Sequence, residues 1–116
     1  MAENPHPSHE WYVRSQRTRA VELARQILED EVSVLAAARE LVSLRSEVEI
    51  EDDDADFRVF VLIDSETDHL PIGSERGLWS PEALIRKQHE ILESEAWARG
   101  IVEDACRGII RRFANA

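Results

Sequence analysis

The chain holds a single cysteine, Cys106. With no second thiol it forms no internal disulfide and supplies no cysteine-rich zinc site, a usage that fits a reducing compartment, so a cytoplasmic location is expected. No stretch approaches the roughly 20 apolar residues that a membrane-spanning helix needs, and the opening MAENPHPSHE lacks the charged and apolar regions of a secretion signal. Neither a membrane nor export is therefore expected. Glycine is scarce and scattered, with four residues at positions 73, 77, 100 and 108, so there is no glycine-rich loop to cradle a phosphate. No segment shows the two-residue alternation of a half-buried strand, and no internal repeat is present.

Basic residues are nearly missing from one quarter of the chain. Residues 1–46 hold six basic and seven acidic side chains, residues 47–75 one and eleven, and residues 76–116 seven and six, so the net charge of −10 divides as −1, −10 and +1. A single-sign patch of this kind repels phosphates, which argues against nucleic-acid binding, and speeds encounter with a basic partner. The plainer reading of EVEIEDDDAD is a solvated connection held open by self-repulsion.

At 116 residues the chain fits one domain. Residues 1–7, polar and proline-bearing, read as a disordered leader, and residues 8–116 as a single all-α domain. Ser8 is placed to cap a first helix, in which Val13, Ala20, Val21, Ala24, Ile27 and Leu28 form one apolar stripe. The cluster Glu29 to Glu31 ends it, and Ser33 caps a second helix with Val34, Leu35, Ala38, Leu41 and Val42 in the same register. So short a connection predicts an antiparallel helical hairpin. FRVFVLID, residues 57–64, has strand-like composition, but a lone strand could not satisfy its backbone groups, and Asp54 or Asp56 offers a helix cap. The spacing 57/60/61/64 therefore predicts a short, buried third helix. Ser80, Pro81, Glu82 and a Trp79–Leu84 staple open a long fourth helix, whose apolar positions run from Leu84 to Phe113. Unbroken, it would reach about 50 Å, too long for one side of so small a domain. It must bend, with Gly100 the natural place, or lay its far half on another chain as a homodimer. The expected architecture is a small four-helix, bundle-like domain.

IDSETDHLPIGSE, residues 63–75, concentrates the chemically versatile side chains. Asp64, Glu66, Asp68 and Glu75 fall at positions 1, 3, 5 and 12 of a calcium-type loop, but position 6 is His69 instead of glycine and no helix follows directly. A transition-metal or hydrolytic cluster could draw on Asp64, Glu66, Asp68 and His69, with His89 approaching from the last helix, although such sites usually take at least two oriented histidines. Ser65 has no oxyanion-hole turn beside it, and Cys106 lies in an apolar helical register. The structural alternative is a polar plug. Asp64 then extends the Phe57–Phe60–Val61 face and requires an arginine such as Arg39 or Arg45, while Ser65, Thr67 and Asp68 bond the backbone where the helix ends, and the loop leads to Trp79. This reading is preferred.

IDSETDHLPIG, together with EVSVLAAARELVSLR and DADFRVF, resembles a family of small bacterial proteins of uncharacterised function with an "SETD.LP.G" signature. The resemblance spans about residues 23–113 and marks Ser65, Glu66, Thr67, Asp68, Leu70, Pro71 and Gly73 as family features. It implies no activity, cofactor or partner. The functional expectation is a non-enzymatic, regulatory or immunity-like protein that uses residues 47–56, with the loop 64–79 beside them, to bind a basic protein. The alternative is a small metal-dependent enzyme built on Asp64, Glu66, Asp68 and His69. No catalytic residue, cofactor or metal ligand is assigned.

Overall fold

A computed structural model describes residues 7–114 of the chain, and the leader expected over residues 1–7 lies outside them except for Pro7. Five α-helices are present, α1 (Pro7–Leu28), α2 (Val34–Leu44), α3 (Ala55–Thr67), α4 (Pro81–Arg99) and α5 (Glu103–Phe113), with a 3₁₀ segment, Gly73–Leu78, between α3 and α4. No strand occurs among the described residues, so FRVFVLID is helical as its spacing required.

Local chemistry sets most of the starts. The Ser33 hydroxyl accepts from the Ala36 amide at the head of α2, the Asp54 carboxylate from the Phe57 amide at the head of α3, and the Ser80 hydroxyl from the Ala83 amide at the head of α4, where Pro81 occupies the first turn. Ser8 is not a cap, because α1 already begins at Pro7. The first helix ends in a Schellman turn. Asp30 takes a left-handed conformation (φ 59°), the Glu31 amide donates to the Gln26 carbonyl at 2.9 Å, and the Asp30 amide donates to the Ile27 carbonyl at 3.1 Å.

The expected hairpin is present. Arg19 meets Glu40 of α2, and Tyr12 and His9 meet Glu47 and Glu49 in the turn after it, so positions that fall along α1 rise along α2 and its continuation. From there the chain packs α3 on α2, and α5 on both α1 and α3. The core joins Leu23, Ala24 and Ile27 of α1, Leu35, Ala38 and Leu41 of α2, Phe57, Phe60 and Ile63 of α3, and Ala105, Cys106, Ile109 and Phe113 of α5. Burial pushes the Cys106 thiol up to about 12, so it remains an unreactive core group at neutral pH.

Three expectations are corrected. The fourth helix turns at Gly100, the place expected for a bend, but as a full break: it stops at Arg99 and restarts at Glu103, giving five helices instead of four. An unbroken rod would carry Ala105, Ile109 and Phe113 away from the core, whereas the turn at Gly100–Val102 folds α5 back onto α1 and α3, where burial of those side chains outweighs the lost helical bonds. The third helix is longer than expected, since it absorbs Ser65, Glu66 and Thr67. It is also not buried all round, because Leu62 is 47 % exposed.

Candidate functional site

The stretch singled out by its composition is divided between the last turn of α3 and the chain that follows. Asp64, Ser65, Glu66 and Thr67 are helical, so the twelve-residue span 64–75 is not a calcium-type loop. Asp68 closes the helix as its C-terminal flank, and Gly73, in a left-handed conformation (φ 63°), opens the 3₁₀ segment that ends at Trp79. Leu70, Pro71 and Ile72 turn inward and are buried.

Arg39 of α2 organises this region. Its Nη2 donates to the carbonyls of Thr67 at 2.6 Å and Leu70 at 3.0 Å, its Nη1 donates to Glu75 Oε1 at 2.7 Å, and its Nε lies 3.6 Å from Asp64 Oδ1. A helix end leaves carbonyls without intrahelical partners, and here one guanidinium serves the last carbonyl of α3, that of Leu70 beyond it and the Glu75 carboxylate, with Asp64 at ion-pair distance but without a hydrogen bond. The arginine that the plug reading required for Asp64 is therefore Arg39. Arg45 instead donates to the Asp52 carbonyl at 3.2 Å. Thr67, the one buried polar side chain among the described residues, returns its hydroxyl to the Ile63 carbonyl at 2.6 Å, as a helix-ending threonine does.

The remaining polar groups diverge. His69 Nε2 pairs with Glu90 Oε2 of α4 at 2.5 Å, and this imidazole together with Lys87 holds the Glu90 carboxyl below the usual carboxylate range. His89, expected to approach from the last helix, points away and pairs with Glu93 at 3.2 Å. Ser65, Glu66 and Asp68 are exposed, and Trp79 is half-buried. Among the described residues no group of three or more His, Cys, Asp or Glu side chains converges to hold a metal ion. A small cleft of ≈ 200 Å³ does open beside Glu66, Thr67, Glu90, Glu93 and Trp97, below the roughly 300–1,000 Å³ of most small-molecule sites.

The acidic quarter separates into used and free charge. Asp54 and Asp56 grip Arg112 of α5, at 2.6 and 3.1 Å. Burial pushes the Asp54 carboxyl up, but the hydrogen bonds from Arg112 and the Phe57 amide outweigh it and hold the group below the ordinary range. Glu47 accepts from the Tyr12 hydroxyl at 2.6 Å, which likewise lowers its carboxyl, and Glu49 meets His9 at 3.3 Å. Glu51, Asp52 and Asp53 are exposed and have no ion-pair partner among the described residues. Glu51 and Asp52, with Asp53 next to them in sequence, belong to an open groove of ≈ 600 Å³ between the end of α2 and the connection to α3, lined also by Val42, Arg45, Glu49 and Ile50. Val42 and Ile50 are half-buried against the core and give the groove an apolar side.

Sequence reasoning did not foresee Arg112, Arg99 or Glu95. Arg99 donates to the Ile27 carbonyl at 3.1 Å and meets Asp30 at 3.1 Å, closing the end of α1 much as Arg39 closes α3. Glu95 accepts from the Val34 amide at 2.9 Å and from the Ser33 hydroxyl, placing a carboxylate at the head of α2. All three lie on helices whose placement the sequence does not announce. No family model, curated protein or solved structure matches the chain, and the roles of Asp64 to Trp79 follow from their geometry alone.

Proposed function

We propose that the chain is a non-enzymatic docking protein whose acidic groove at the α2–α3 connection binds a basic surface of another protein. The reading is carried by the contrast within the acidic quarter: Asp54 and Asp56 are consumed by Arg112, while Glu51, Asp52 and Asp53 are left to solvent beside a groove with an apolar side. Exposed like charges in sequence repel one another, so they contribute nothing to holding this fold and are available to a partner. A segment bearing arginine or lysine next to an aliphatic residue matches both features, the cation at the rim and the aliphatic group against Val42 and Ile50. Masking a basic surface in this way suits a regulatory or immunity-like role in a reducing compartment. The same charge disfavours nucleic acid.

The stretch 64–79 supports this surface from within. Arg39 ties the end of α3 to α2, the helix that carries one wall of the groove. Calorimetric titration with a peptide containing leucine between arginines tests the reading. Association is expected at about 0.02 M salt and should weaken at least tenfold by about 0.15 M. The joint substitution Glu51→Gln, Asp52→Asn, Asp53→Asn should weaken it by about tenfold or more. Failure to associate at low salt, or equal binding by the neutralised variant, would overturn the reading.

A further inference from the structure

The N-terminal half of α4 is held by few contacts, among them the His69–Glu90 pair and Ile91 against the core, and it leaves one face open. The helix is anchored at its other end, through Glu95 on the head of α2 and Arg99 on the end of α1, and its one buried residue is Ala98. Toward the start, Ile85 is 71 % and Leu92 60 % exposed, and with Pro81, Leu84, Gln88 and Ile91 they line an open groove of ≈ 450 Å³. The described residues measure 59 × 29 × 25 Å with a radius of gyration of 16.1 Å, against about 13 Å for a compact domain of this length. Large aliphatic side chains clustered on an open helix face mark a surface that associates.

The spacing on that face is compatible with a second copy of this chain. Leu84 and Ile85 precede Gln88 by four and three residues, and Ile91 and Leu92 follow it by three and four, so the apolar pattern is a palindrome about position 88. A two-fold axis at that point sets Leu84 against Leu92 of the partner subunit and Ile85 against Ile91 of the partner subunit. It also brings Gln88 to Gln88 of the partner subunit, where each side-chain amide can donate to and accept from the other. A stripe symmetric about its centre can meet a second copy of itself, as an isologous pairing requires, and charge adds the discrimination that spacing lacks. Charge selects the direction. Within α4, residues 81–87 carry Arg86 and Lys87 against Glu82, a net +1, and residues 90–95 carry Glu90, Glu93 and Glu95, a net −3, with Glu95 engaged at the head of α2. Antiparallel packing lays the basic half of one helix along the acidic half of the other, whereas parallel packing would align like halves.

We propose that α4 pairs antiparallel with α4 of a second copy of this chain about a two-fold axis at Gln88, burying Ile85 and Leu92. The surface is separate from the acidic groove, so each proposal can fail without the other. Sedimentation velocity on the full chain is expected to show a dimer. The double substitution Ile85→Arg, Leu92→Arg should produce a monomer, raising the dissociation constant at least about a hundredfold, since each branched aliphatic side chain withdrawn from water is worth about tenfold or more. Its far-ultraviolet circular dichroism and melting temperature at low concentration should stay within a few degrees of an equally dilute native sample, because both side chains are exposed in the isolated chain. Register is tested separately: a Gln88→Cys variant should be joined by a short bis-maleimide into a covalent dimer, and an Arg86→Cys variant should not. A native chain that sediments as a monomer at every concentration would overturn the proposal. So would a double variant that remains dimeric, or crosslinking at 86 in preference to 88.

Discussion

Arg39 fixes more of this structure than any acidic residue in the stretch that first draws attention. It serves the Thr67 and Leu70 carbonyls and the Glu75 carboxylate at once, at 2.6 to 3.0 Å. Removing it leaves the Leu70 carbonyl without its donor and the Glu75 carboxylate without its cation, while the Thr67 carbonyl keeps the Leu70 amide at 3.0 Å, so Arg39→Ala is expected to lower unfolding stability by about 1–3 kcal/mol in a urea titration. Asp64 sits 3.6 Å from the guanidinium and is partly exposed, so Asp64→Asn should cost less than about 1 kcal/mol. The opposite ranking would place the organising role on the carboxylate. The need for an arginine near Asp64 was legible, because residues 57, 60, 61 and 64 share a face and a carboxylate on a core face demands a cation. That Glu90 would take His69 was not. The two positions are brought together by the placement of α4 against the end of α3, which no local pattern encodes.

Among the elements, most starts were legible, and so were two of the stops, at Glu29–Glu31 and at Gly100, whereas the end of α3 was not. Ser33, Asp54 and Ser80 cap through bonds made within three residues, so their chemistry is written locally. The break after Arg99 has a local mark and a tertiary cause: Gly100 shows where the helix can bend, while apolar residues keep helical spacing from Leu84 to Phe113 and the position of the core decides that the chain turns back. At the head of α3, Asp54 joins local and tertiary roles. Its carboxyl is held below its unfolded value, so the folded state resists protonation. The stability this contributes is complete above the ordinary aspartate range, about pH 4, and is lost as the pH falls through the lower, folded value. Asp54→Asn should flatten this part of an acid-unfolding curve, while Asp54→Ala should lose about 1–2 kcal/mol at neutral pH with the cap and the Arg112 bond. The α3–α5 contact carries a second test. A Cβ at Gly108 would lie 2.4 Å from Asp56 Oδ2, so alanine there must push the carboxylate off Arg112. Gly108→Ala is expected to destabilise by about 1 kcal/mol alone but to stabilise by about 1 kcal/mol in an Asp56→Ala background, where only the gain in helix propensity remains. Equal effects in both backgrounds would contradict the contact.

For the whole molecule, the excess of acid and its position in one quarter of the chain were plain from the sequence, and so was the all-α class. The division of that acid was not, since Arg112 lies 56 residues beyond Asp56 and is carried to it by the turn of α5. Groups that hold the fold and groups that serve a partner should separate in their effects. Neutralising Glu51, Asp52 and Asp53 relieves repulsion and is expected to leave the melting temperature unchanged or slightly raised while weakening association, the behaviour of a surface kept for binding. Backbone amide chemical shifts recorded during titration with the leucine-containing arginine peptide bear on this most directly. The shifts are expected to concentrate at residues 42–53, with residues 64–73 nearly unmoved. Perturbations centred on Asp64 to His69, or none at low salt, would contradict the assignment of the acidic groove as the working surface and of the Arg39-bound stretch as its support.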